Sequence, residues 1–208
     1  MKKIKYFITV AILITACIVG FRYFNHKAIS ESVDEYMKAF LSGNLTVLKE
    51  QETADGVRQM EEELKSIQLR QFRTYFKGSG LTVNEEELED IYQAYHQALS
   101  TLDYQITIDN ISDNRAVIRI KCHQFDMKSL EDKATKSALE IIEKKNVTRL
   151  DRAAQIFVNE MVNELENATA GIETETTKIT FVKDDSYWKP KDTLEFFETM
   201  NSVAVSKL

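Results

Sequence analysis

Tyr92, Tyr95 and His96 are the residues of this 208-residue chain whose types and spacing come nearest to chemistry. Tyr92 and His96 are four apart in a helical stretch, so they share a face and can line a cavity between that helix and a sheet. A phenol beside an imidazole can hold a polar ligand group. With a carboxylate committed to the same cavity, it can also move a proton. The inner stripe of this helix is Leu88, Ile91, Tyr92, Tyr95, Leu99 and Leu102 and carries no carboxylate. The pattern therefore favours two core tyrosines with hydroxyls at the rim and a partly exposed histidine. Tyr92, Tyr95 and His96 stand as ligand-binding candidates, and no catalytic residue is assigned.

Other chemistry finds less support. The remaining histidines, His26 and His123, are far apart in sequence and have no carboxylate or sulfur at ligand spacing, so no metal or cofactor is expected. His123 is expected on the wet face of a strand. Cys122 alternates with Ile118 and Ile120, which marks it as a small buried hydrophobe and not a reactive thiol. The chain has no glycine-rich phosphate loop, nucleophile elbow or zinc-protease helix. The runs Glu61-Glu62-Glu63 and Glu85-Glu86-Glu87 read as solvated helix faces.

The elements that must position these residues follow from periodicity. Ile29, Val33, Tyr36, Met37, Phe40 and Leu41 keep helical spacing, and Gly43 is placed to end that helix. A short turn over Thr46 to Gln51 leads to a longer helix with Val57, Met60, Leu64, Ile67, Phe72 and Phe76 inside, broken at Gly78-Ser79-Gly80. Asn84 caps the helix that carries the candidate site, with three glutamates in its positively polarised first turn. At Tyr104 the period becomes two. Tyr104, Ile106 and Ile108 face one way, and a turn over Ser112-Asp113-Asn114-Arg115 returns the chain into Ile118, Ile120 and Cys122. Two helices follow, with apolar stripes from Leu130 to Ile142 and from Leu150 to Leu165. A second hairpin runs from Thr176 to Lys183 and back over Tyr187 to Lys189, and Asp192 caps a last helix. This order predicts an α+β domain in which helices cover an antiparallel sheet of two hairpins.

The N-terminus supplies an address. Lys2, Lys3 and Lys5 precede sixteen uncharged residues, Tyr6 to Phe21, whose apolar members favour insertion by about 3 to 5 kcal/mol. As a helix the segment rises about 24 Å, and Lys5 and Arg22 can snorkel to the interfaces. Two anchors remain open: an uncleaved membrane helix over 1–24, or a lipoprotein signal in which Ile14-Thr15-Ala16-Cys17 forms the lipobox and Cys17 is lipidated. Either one tethers a single extracytoplasmic domain, 25–208, to the cell membrane. The first 24 residues hold four of the 27 basic and none of the 33 acidic groups, leaving 23 against 33, a net charge near −10. Such a charge disfavours nucleic acid as a partner and an electrostatic hold on anionic lipid. With Cys122 alone in the exported part, no disulfide can form there.

Two segments resemble the cystatin-like superfamily named after nuclear transport factor two. The stretch Val33 to Asn44 is similar to its first helix, and Ile179 to Lys189, with Trp188 after a polar turn, is similar to its final hairpin. Helices inserted between two hairpins behind an export signal resemble, more narrowly, uncharacterised Gram-positive lipoproteins of a domain-of-unknown-function family. The resemblance spans about 30–200 and brings no catalytic residues. The leading expectation is a tethered, non-catalytic domain that binds a small ligand or a protein partner at the outer membrane face. Three alternatives stay open: a structural subunit of an envelope assembly such as a conjugation or secretion machine, an immunity or inhibitor protein against a secreted toxin, and an isomerase-like cavity enzyme.

Overall fold

The alternation that begins at Tyr104 builds the sheet at the centre of the domain. In a computed structural model that describes residues 24–49, 52–185 and 187–205, β1 (Tyr104–Ser112), β2 (Arg115–His123), β3 (Thr174–Asp184) and β4 (Tyr187–Pro190) form one antiparallel sheet in the order β1-β2-β3-β4. The described residues also contain six helices: α1 over 24–42, α2 (Ala54–Gly78), α3 (Glu85–Leu99), α4 (Met127–Lys144), α5 (Leu150–Glu166) and α6 (Thr193–Ala204). A short 3-10 turn, Leu45–Leu48, joins α1 to α2. The predicted membrane segment and Cys17 lie outside the described residues. Among the described residues no helix is long and apolar enough to cross a membrane.

Several helix ends have a local cause in the sequence. Asn84 and Glu87 form a reciprocal capping box that starts α3, and Asp126 and Asp192 accept backbone N–H bonds that start α4 and α6. The predicted break at Gly78-Ser79-Gly80 is a Schellman ending. Gly78 is still helical, Gly80 takes φ +75°, and the N–H groups of Gly80 and Leu81 donate to the carbonyls of Lys77 and Phe76. Asn146 ends α4 in the same manner at φ +47°.

Strict alternation would turn Asn110 inward, and the sheet departs from it. A bulge between Ile108 and Asn110 shifts the register, so Ile108 faces Ile118, Asn110 faces Val117, and Ile111 returns to the core opposite Ala116. The extra residue, Asp109, stays on the outer face and binds Arg119 at 2.6 Å and Lys178 at 2.9 Å. The core is built where α1 and α6 meet the sheet. Tyr36 of α1, Phe181 of β3 and Phe196 of α6 contact edge-on with ring centroids 5.7 to 6.1 Å apart. Cys122 is fully buried, and burial pushes its thiol pKa up to about 11. His123, expected on the wet face, is half-buried, with Nδ1 3.0 Å from the Gly171 carbonyl. A carbonyl can only accept, so Nδ1 carries the proton there.

Candidate functional site

The capping box starts α3, and the helix buries Tyr92, Tyr95 and His96 along with its apolar stripe. All three are buried, His96 included, at 7% exposure. The expectation of a partly exposed histidine is corrected. Its physical cause is the neighbouring α2, which lies across α3 and is tied to it by Lys65–Glu89 at 2.8 Å and Arg73–Glu85 at 2.7 Å. The rings of Tyr92 and His96 are 4.6 Å apart, and those of Tyr95 and His96 are 5.7 Å apart.

The helix divides these residues between two clefts. The first, about 150 Å³, is bounded by the end of α1, the 3-10 turn, α2, α3 and α6, and is lined by Phe40, Gly43, Leu64, Tyr92, His96 and Phe197 among others. The second, about 200 Å³, lies farther along α2 and is lined by Phe72, Tyr75, Phe76, Ile91, Tyr95 and Met161 among others. Both are clefts between helices. Among the described residues no strand residue lines either one, unlike the helix–sheet cavity that the sequence suggests.

Gln68, Gln71 and Asn201 border both clefts and form the wall between them. Gln68 Oε1 lies 2.9 Å from His96 Nε2, and the Tyr95 hydroxyl donates to Asn201 Oδ1 at 2.6 Å. The wall is thus made of amides, each of the two bonded ones tied to a candidate site residue. Gln68 Oε1 can only accept, so His96 carries its proton on Nε2 and presents Nδ1 as an acceptor. The Phe40 and Leu41 carbonyls favour protonation of the ring, yet Nδ1 forms no hydrogen bond among the described residues. Burial outweighs those carbonyls and lowers the His96 pKa to about 4, so the imidazole is neutral at pH 7. Burial, with Glu61 and Glu89 nearby, pushes the Tyr92 hydroxyl up to about 12, and burial raises Tyr95 as well.

Gly43 allows the imidazole its place. It ends α1 at φ +66°, and a Cβ there would lie 2.8 Å from both Cγ and Nδ1 of His96. The covering helix is unusual in its burial. Of its 25 residues only Val57 and Phe76, near its two ends, are buried, while Leu64, Ile67, Gln68 and Phe72 between them are half-buried over the clefts. Among the described residues no three His, Cys, Asp or Glu side chains converge as a metal site would require.

Sequence reasoning missed the dividing wall. Gln68 had a signal, because Leu64, Gln68 and Phe72 are spaced by four and a polar residue interrupts an apolar stripe. Asn201 had none, since its partner Tyr95 is 106 residues away.

The fold and its clefts define an α+β domain with helices on one sheet face, and comparisons place it more closely. The chain belongs to a domain-of-unknown-function family, DUF5105, whose model matches residues 31–200. Its fold is similar to the crystal structure of a candidate lipoprotein, ycdA, from Bacillus subtilis, with a TM-score of 0.71 and 16% identity. That likeness covers 86% of this chain, and the chain spans 56% of the Bacillus protein. No curated protein matches the sequence.

Proposed function

We propose that this chain is a non-catalytic binding domain, tethered at the outer face of the cell membrane through residues 1–24, that holds a small ligand with an apolar body in the paired clefts. The observation that carries the reading is α2, a long helix pinned by Val57 and Phe76 whose middle spans apolar space that it does not fill. A helix selected only to cover the core would bury its whole inner stripe. The site chemistry suits holding rather than reacting. The bonded partners of His96 and Tyr95 are amides, and neither ring can exchange a proton readily near pH 7 with a pKa of about 4 on one and a raised hydroxyl on the other. The tether is supported by the apolar N-terminal segment and by the fold shared with a candidate lipoprotein. A cystatin-like ancestry is part of the same reading, supported by an opening helix that lays Tyr36 on the sheet and by a closing hairpin that buries Trp188.

Each cleft is near the size of a cavity that takes a benzene-sized group. Benzene titrated into the full-length chain in lipid nanodiscs is expected to give saturable NMR shifts at the methyl groups of Leu64, Ile67 and Ile91. Leu64→Trp, which fills the first cleft, is expected to remove the saturable shift at Ile67. Shifts that never saturate, or that spread evenly through the core, would refute a built ligand site.

A further inference from the structure

The charges around the first cleft are one-sided. Glu61 of α2 and Glu198 of α6 line it, and neither is ion-paired among the described residues. Among the described residues no lysine or arginine lines it. Lys65, over the Tyr92 ring at 5.2 Å from its centroid, is paired with Glu89 at 2.8 Å. His96 adds no compensating charge, being neutral, and its buried Nδ1 has no hydrogen-bond partner among the described residues. An apolar recess that carries one half-buried and one exposed carboxylate, with no lysine or arginine in its lining among the described residues, is complementary to a positive charge.

We infer that the first cleft takes a protonated amine carried on an apolar body of about one ring, its ammonium held between Glu61 and Glu198 and its body against Phe40, Tyr92 and Phe197. The inference rests on the binding reading above and adds the sign of the ligand's charge. The aromatic walls serve the same ligand, since the negative ring face attracts a cation and the ring itself covers the apolar body. Lys65 shows the arrangement already at work in the molecule, its ammonium near the Tyr92 ring and bonded to a carboxylate. Anionic ligands are disfavoured by the same two carboxylates. The volume, about 150 Å³, matches one ring and a short arm rather than a long acyl chain.

Three probes of equal shape separate charge from size: phenethylamine, 2-phenylethanol and phenylacetate, each titrated into the full-length chain in zwitterionic nanodiscs with empty discs subtracted. The amine is expected to bind about tenfold tighter than the alcohol at low salt, and phenylacetate weakest. Rising salt should erode the difference. The double variant Glu61→Gln/Glu198→Gln should weaken the amine about tenfold and leave the alcohol unchanged, a split that loss of folding cannot produce. If the three probes bind equally, or the alcohol binds best, the charge inference fails while a binding cleft stands. If none saturates and benzene also fails, both readings fall.

Discussion

The depressed basicity of His96 makes a quantitative test of how the site is built. Its pKa falls from an ordinary 6.5 to about 4 because α2, α3 and the end of α1 exclude water from the ring. The native state therefore binds fewer protons than the unfolded chain between these values, and stability must fall as pH drops through that window. The fall from 6.5 to about 4 corresponds to about 3 kcal/mol, present above pH 6.5 and lost by pH 4. Between pH 7 and pH 5 the loss is about 2 kcal/mol. His96→Gln keeps a group able to bond Gln68 but cannot titrate, so its stability should lack this component. Urea unfolding of the full-length chain in mild non-ionic detergent, at half-unit steps from pH 7 to pH 5, gives both curves. Contributions shared by the two proteins cancel, including that of Glu89, whose carboxyl the Lys65 ammonium holds below its ordinary value. The wild-type curve should approach the variant's by about 2 kcal/mol as pH falls. Parallel curves would mean that water reaches the imidazole and that the cleft wall is not closed as described.

Gly43→Ala should destabilise the domain by more than about 1 kcal/mol, because it places a Cβ at φ +66° and 2.8 Å from the His96 ring. Adding His96→Ala relieves the clash and leaves the backbone strain, so a double-mutant cycle should show coupling of about 1 kcal/mol, and strict additivity would show that the ring does not contact Gly43. Cys122, fully buried with its pKa pushed up to about 11, should resist iodoacetamide at pH 8 in the native chain and react after urea unfolding. Mass mapping of the Cys122 peptide checks this, and rapid native labelling would contradict the packing of β2.

Much of the architecture was legible in the residues themselves. Alternation from Tyr104 marked β1 and β2, the second hairpin marked the return over Tyr187 to Lys189 that forms β4, and the caps at Asn84 and Asp192 marked helix starts that the structure reproduces. These features are local: a side chain's direction repeats every 2 or 3.6 residues whatever packs against it. The same logic placed Tyr92, Tyr95 and His96 on one side of α3 and Cys122 inside the sheet. Only tertiary structure decided the rest. Asp109 at the bulge finds its cations on β2 and β3, the depth of His96 depends on a helix some 28 residues earlier, and the wall of Gln68 and Asn201 depends on α2 and α6 meeting over α3. Periodicity tells which way a side chain points. How far water is excluded, and which group answers a buried donor, is set by segments distant in the chain, and on those two quantities the character of the site rests.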